Sequence, residues 1–410
     1  MNLLELSPES ITIGRPLPYA LRDANGILLA RRGFVISSRD DLNDIRSRGI
    51  GLYIDAAESE RHQKAYVGKL YDLVRDEKPL GQIAQARLST LDLDMGRLLP
   101  PESMTNWRDI QVQGTRLLRD LHPDGFAADL DRLHQRLTQE CQRNPDGTLF
   151  ALFHLSARGP HYYSATHAML VAVACTLAAR EVLEWDEALT TTLGKAALTM
   201  NIAMTALQDN LATQIEPPVA EQRRQIAAHA AQGTQLLREM GITDEDWLEA
   251  VRDHHATAAG ALGPRTPAQR MARLIQRADM FVARLAPRAS RKAQSNPQAM
   301  QACYFDENRG TDEAGSALIK AVGVYSPGSL VRLANDEVGM VVRRGANTTS
   351  PRVAIVINRD GFATGEYLLR DTSQRTQRVV ANLPVHECKV EVNLEKMLAL
   401  TASAGSSRLL

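Results

Sequence analysis

The sequence predicts a mainly α protein with small β-rich modules at its N-terminal and C-terminal sides. Two observations carry this. Apolar residues recur at helical spacing through the long centre of the chain, as in Trp107–Leu121, Phe126–Cys141 and Met271–Leu285. On either side the period shortens to brief apolar runs divided by turn residues, within 1–55 and again within 321–370.

In the first module, 1–55, strands are predicted at Ile11–Ile13, Leu17–Arg22 and Ile27–Ala30, with Asp23-Ala24-Asn25-Gly26 as the turn. Ser37-Ser38 are placed to cap a short helix running to Arg46 and ended by Gly49, and Ile50–Ile54 closes the module as a strand. Residues 56–149 read as a helical linker region, with a loose stretch over Lys78–Met104 and a break at Asn144-Pro145-Asp146-Gly147. Residues 150–320 form the helical centre. In 321–400, strands are expected at Ser329–Leu333, Val338–Arg343, Val353–Ile357 and Tyr367–Arg370, with a closing helix over Val392–Leu400. Residues 401–410 read as a flexible tail.

The chain has 410 residues, 48 basic and 48 acidic, so no global charge draws it to nucleic acid or anionic lipid. Aromatics are 5% of the residues, too few to suggest base-stacking platforms. The most apolar run, Ala168–Ala179, is too short to span a bilayer and reads as a buried helix. Cys141, Cys175, Cys303 and Cys388 are widely separated and form no CxxC pair, which fits reduced thiols in a cytoplasm.

The centre holds six of the ten histidines: His154, His161, His167, His229, His254 and His255. His167 shares a helix stripe with Leu170, Val171 and Ala174, and His229 shares one with Ile226, Gly233 and Leu237. His254 and His255 follow Trp247, Leu248 and Val251, while Asp279 lies among Leu274, Ile275, Ala278 and Val282. Four helices thus turn a potential ligand toward one apolar interior. Imidazoles with a carboxylate suit iron, manganese or zinc. The same residues also fit hydrogen-bonded polar groups of a core, and spacing leaves both readings open.

The order of these features resembles the HD-GYP domain of the HD phosphohydrolase superfamily. Tyr163-Ser164-Ala165-Thr166-His167 matches its Tyr-(Ser/Thr)-x-x-His element, and His229 with Gly233 matches its His-x-x-x-Gly. His254-His255-Ala256 stands for His-His-Glu, and Arg273-Leu274-Ile275-Gln276-Arg277-Ala278-Asp279 for Arg-Ile-x-x-x-Ala-Asp. Gly323–Val331 resembles a Gly-x-Tyr-Pro-x-Gly-x-x-Val segment that often follows these helices. The match spans about residues 140–345. It implies an HD-type bundle, and an ancestral metal-dependent cleavage of cyclic di-GMP. It also implies metal contacts for His167, His229, His254, His255 and Asp279, and phosphate contacts for Arg288 and Arg291.

The departures are pointed. Where the family places its metal-bridging His-Asp and the following Lys, this chain has Met200-Asn201 and Met204, and Ala259–Pro264 replaces the Gly-Tyr-Pro loop. Methionine is a poor ligand for hard cations, and neutral Asn cannot bridge two of them. The resemblance therefore implies a degenerate site with one divalent transition metal (iron, manganese or zinc) or none, in a non-catalytic regulator or scaffold. Two alternatives stand beside it: a phosphodiesterase with an atypical site, and a cyclic di-GMP receptor that does not hydrolyse. Expected partners are cyclic di-GMP or a signalling protein, with a homo-oligomer as a further form, and neither nucleic acid nor membrane insertion.

Overall fold

The computed structural model describes residues 3–5, 11, 13–14, 17, 19–31, 33–47, 51–55, 105–158, 162–256, 258–291, 293–384, 390 and 392–402. The chain divides into two compact units, Met1–Thr105 and Asn106–Leu410.

In the first unit, β1 (Leu3–Glu5), β2 (Leu21–Arg22), β3 (Leu28–Ala30) and β4 (Tyr53–Asp55) form an antiparallel sheet in the order β1-β4-β2-β3. The expected turn is present. The Asp23 carboxylate accepts from the backbone N–H of Asn25 (2.9 Å) and Ile27 (2.8 Å), and Gly26 takes φ 82°. Helix α1 (Arg39–Ser47) starts as expected, with Ser38 Oγ accepting from the Asp41 N–H at 3.0 Å. Two strand expectations shrink. Ile11 is a bend and Ile13 a turn, and the Leu17–Arg22 strand is confined to Leu21–Arg22. The strand Leu3–Glu5 goes unforeseen, because three residues are too few to establish a period.

The second unit is helical through most of its length. It contains α2 (Trp107–Arg119), α3 (Phe126–Arg143), α4 (Pro145–Arg158), α5 (Tyr163–Glu181), α6 (Glu187–Thr199), a 3₁₀ turn (Ile202–Met204) and α7 (Thr205–Thr213). There follow α8 (Ala220–Glu239), α9 (Glu245–Asp253), α10 (Pro267–Leu285), α11 (Asn296–Tyr304) and α12 (Glu313–Val322). Helix α5 is the hub. Every residue from Tyr163 to Ala179 is buried, and the helix packs against α2, α3, α4, α6, α7, α10 and α12. A helix apolar on all sides is stable only when other helices surround it. The predicted break at 144–147 is narrower than expected, since α4 begins at Pro145 and only Asn144 separates it from α3. Among the described residues, no helix is long and apolar enough to cross a membrane.

Five antiparallel strands follow: β5 (Leu330–Leu333), β6 (Val338–Arg343), β7 (Arg352–Ile357), β8 (Leu369–Asp371) and β9 (Val379–Leu383), in the order β8-β7-β6-β5-β9. Both faces of the sheet are covered. Leu330, Met340 and Val342 pack on one side with Phe150 of α4 and Met397 of the closing helix α13 (Leu394–Ala402). Val331, Val341 and Val353 pack on the other. Strand β9 escaped the sequence reading because Val379–Leu383 is half-buried and lacks clear alternation. Helix α13 extends through Ala402, two residues into the expected tail. The linker stretch 56–104, residues 403–410, His161 and Cys388 lie outside the described residues.

Two consequences of this packing are measurable. A Cβ on Gly315 in α12 would stand 1.9 Å from the carbonyl oxygen of Cys303 in α11, so the helices can approach only with glycine there. Gly315→Ala should lower unfolding stability by about 3 kcal/mol in denaturant titrations. Burial, with Lys195 nearby, pushes His134 of α3 down to about 4 from 6.5. Below pH 6.5 the unfolded chain binds a proton that the folded chain refuses, so stability falls as pH drops from 6.5 toward 4. In His134→Asn that part of the slope should shrink by up to about one proton, read from denaturation midpoints across pH.

Candidate metal centre

Three helices and one helix end bring the histidines together. Helix α9 is fixed at its start by Asp244, whose side chain accepts from the Trp247 N–H at 3.1 Å. Trp247 Nε1 donates to Thr199 Oγ1 of α6 at 2.9 Å. Thr234 Oγ1 of α8 donates to the Leu248 carbonyl of α9 at 3.3 Å. Helix α9 ends at Asp253, which puts His254 at its C-cap and His255 just beyond. Helix α10 starts at a capping box between Thr266 and Gln269 with Pro267 in its first turn, and carries Asp279.

His229, His254 and His255 form a cluster in which one ligand atom from each lies within 4.8 Å of the others. Their rings stand 4.0–5.2 Å apart, centre to centre. His229 and His254 are buried and His255 is exposed. His229 Nδ1 bonds to the Ile226 carbonyl at 2.5 Å, and His254 Nδ1 to the Val251 carbonyl at 2.6 Å. A carbonyl only accepts, so each Nδ1 carries the hydrogen. Burial, reinforced by His255, pushes His254 down to about 3. Burial also lowers His229, against the opposing hydrogen bond to Ile226. Both rings are therefore neutral near pH 7, and each leaves Nε2 a bare lone pair. These two Nε2 atoms face each other at 3.3 Å with no proton between them. Two acceptors so placed repel unless a cation joins them.

Asp279 and His167 stand beside this cluster as a pair. His167 Nε2 donates to Asp279 Oδ1 at 2.7 Å, and His167 Nδ1 has no partner among the described residues. Burial opposes the charge on Asp279, but the bond from His167 and the imidazoles of His254 and His255 outweigh it and push the carboxyl down to about 2. The five residues expected around one site thus resolve into a histidine triad and a His–Asp pair. Asp279, on another helix, is the carboxylate that orients His167.

Arg288 and Arg291 were expected to contact phosphate. The Arg288 guanidinium donates to the Tyr163 hydroxyl at 2.7 Å and lies 4.9 Å from the centre of its ring. Tyr163 in turn stacks on His167, with ring centres 5.6 Å apart. Arg291 donates to the Ala283 carbonyl and is otherwise exposed. Met200 is fully buried in the main core, and Asn201 precedes the 3₁₀ turn. Met204 lies in that turn, half-buried. Where the Gly-Tyr-Pro loop was expected, Leu262 is buried and its N–H bonds Glu313 Oε2 at 2.7 Å.

Sequence reasoning missed the residues that hold the ligand helices in place. Asp209 of α7 accepts from the Ser164 N–H and Oγ, both at 2.8 Å, at the start of α5, and pairs with Arg119 at 2.6 Å. Arg273, fully buried, donates to Asp312 (2.9 Å), Gln276 (2.7 Å) and Glu307 (2.9 Å). Gln276 donates onward to the His255 carbonyl at 3.3 Å. Apart from Arg273 and Gln276, these partners are far apart in the chain, so no local pattern announces them. The described cysteines, Cys141, Cys175 and Cys303, are buried and free. Burial pushes Cys141 and Cys303 up to about 12, leaving inert thiols.

No family model matches the chain, and no curated protein does either. Among solved structures, the chain is similar to an HDG"Y"P protein from Bdellovibrio bacteriovorus at 14% identity, over 77% of this chain and 98% of that one, with a TM-score of 0.38. Neither the fold nor the site described above rests on that likeness. The Asp209 cap is open to direct test: Asp209→Ala, which also takes a carboxylate from Arg119, should cost about 2 kcal/mol of stability in a urea titration.

Proposed function

We propose that this chain is a degenerate HD-GYP-type domain that holds one divalent transition metal, iron, manganese or zinc, between His229, His254 and His255. In this reading it serves cyclic di-GMP signalling as a non-catalytic regulator or scaffold. The facing Nε2 lone pairs of His229 and His254 carry the metal part of this reading. Two nitrogens on one tetrahedral ion at about 2.05 Å lie about 3.3 Å apart. The two Nε2 atoms are separated by 3.3 Å. The donor chemistry fits as well. Neutral imidazoles suit these metals, and both rings are already deprotonated at Nε2. Their Nδ1–H bonds to backbone carbonyls are the outer contacts that aim a ligating histidine.

The rest of the reading follows from the residues that accompany that ion. When bound, a metal would supply Lewis acidity and an activated water. Phosphodiester cleavage in a paired-metal site also needs a carboxylate that spans both ions and a cation for the phosphate. In their places stand buried Met200, neutral Asn201 and half-buried Met204. Asp279, held as an anion by His167, offers a single carboxylate to one edge of the triad. Arg288 brings a guanidinium to the same region through Tyr163, which suits contact with a phosphate of a bound cyclic dinucleotide.

Elemental analysis of the full chain, purified without chelator or metal-affinity resin, should find about one such metal per chain, lost in His229→Ala/His254→Ala. Incubation with cyclic di-GMP should yield no linear product. Two metals per chain, with turnover abolished by His254→Ala, would return the protein to the hydrolases. No metal in the unaltered chain would overturn the metal assignment.

A further inference from the structure

The three histidines of the triad are not held alike. His229 and His254 are each aimed by a bond from Nδ1 to a carbonyl of their own helix. His255 is exposed and stands in the turn just past α9, where the Ala256 N–H bonds the Asp253 carbonyl at 2.9 Å. Among the described residues, no carbonyl holds its ring as the other two are held. What reaches His255 is a side chain from another helix: Gln276 Nε2 of α10 donates to its backbone carbonyl at 3.3 Å.

A carboxamide places a neighbour only if its own far side is fixed. Arg273, one turn earlier on α10, donates from Nη1 to Gln276 Oε1 at 2.7 Å. A guanidinium only donates and a carbonyl only accepts, so the amide has one orientation, with its oxygen toward Arg273 and its NH2 toward His255. Arg273 is pinned in turn, donating from Nε to Asp312 and from Nη2 to Glu307, both at 2.9 Å. Asp312 itself caps α12, accepting from the Gly315 N–H at 2.8 Å. Gln276 is 8% exposed, so little water competes for its bonds.

We propose that Gln276 is a positioning residue for the metal. By holding the His255 main chain, it keeps the third imidazole within reach of an ion gripped by His229 and His254. The assignment rests on the metal reading and deepens it: two ligands are set by their own helices, and the third depends on the helix that also carries Asp279. Outer contacts that orient a ligand change metal affinity by about ten- to a hundredfold.

Titration of the full chain, freed of bound metal, with Co2+ tests this, because the visible band of the bound ion follows its ligand set and geometry. Gln276→Met keeps the side-chain length and removes both hydrogen bonds. It should weaken Co2+ binding about tenfold and move the band toward that of His255→Ala. In the double variant Gln276→Met/His255→Ala, binding should be no weaker than in His255→Ala alone, because no third ring is left to place. A general loosening of the fold would instead multiply the two losses. If circular dichroism shows Gln276→Met unfolded, Gln276→Glu decides. Beside Arg273 it is ionised, so it accepts from the guanidinium but brings no hydrogen to the His255 carbonyl. It should bind Co2+ more weakly in spite of its added negative charge. No Co2+ binding by the unaltered chain would bring down the metal reading and this assignment together. Binding that the Gln276 variants leave unchanged or tighten, or losses that multiply in the double variant, would overturn this assignment alone.

Discussion

A helix that is apolar around its whole circumference leaves the chain few options. From Tyr163 to Ala179, α5 has no face that tolerates water, and seven other helices cover it. That demand orders the second unit. It brings α7 to its N-terminus, where Asp209 answers the open backbone N–H of Ser164, and it brings α10 along its side, where Asp279 meets the one strongly polar ring the helix buries. A histidine buried on such a helix must find a partner on a neighbour, so the His167–Asp279 bond is both a packing contact and an electrostatic one. It keeps Asp279 ionised in spite of burial, and a fixed negative charge beside neutral imidazoles is the environment a cation requires.

The triad obeys a different rule. His229 and His254 are oriented by their own helices, each through a carbonyl three residues earlier. Each is made neutral by burial. Neither effect requires the other ring, yet together they leave two lone pairs confronting each other. Buried acceptors that face each other with no hydrogen between them are costly until a donor or a cation joins them. The metal reading rests on that economy of hydrogens rather than on how many histidines gather.

Much of this was legible in the sequence because it repeats locally. The helices of the centre follow an apolar period of 3.6, strands β5 to β7 stand out as short apolar runs between turn residues, and four of the ligand candidates sit on stripes that a helical wheel exposes. What stayed hidden depends on separation along the chain. Ser164 and Asp209 are distant in sequence, as are Arg273 and Asp312, and no spacing rule links them. The division of the five site residues into a triad and a pair was equally invisible. A period tells which way a residue points but not how far it reaches. The strand β1 was missed for the opposite reason, since three residues contain too little period to read, and β2 was foreseen but is shorter than its expected run.

The carbonyl anchors of His229 and His254 have a consequence for how such a site can change over time. A ligand aimed by its own helix keeps its direction when a neighbouring ligand is replaced. A site assembled from self-aimed rings would therefore keep its remaining ligands poised if one were replaced. Loss in such a site would be stepwise rather than all at once, because each remaining ring is held by its own turn of backbone.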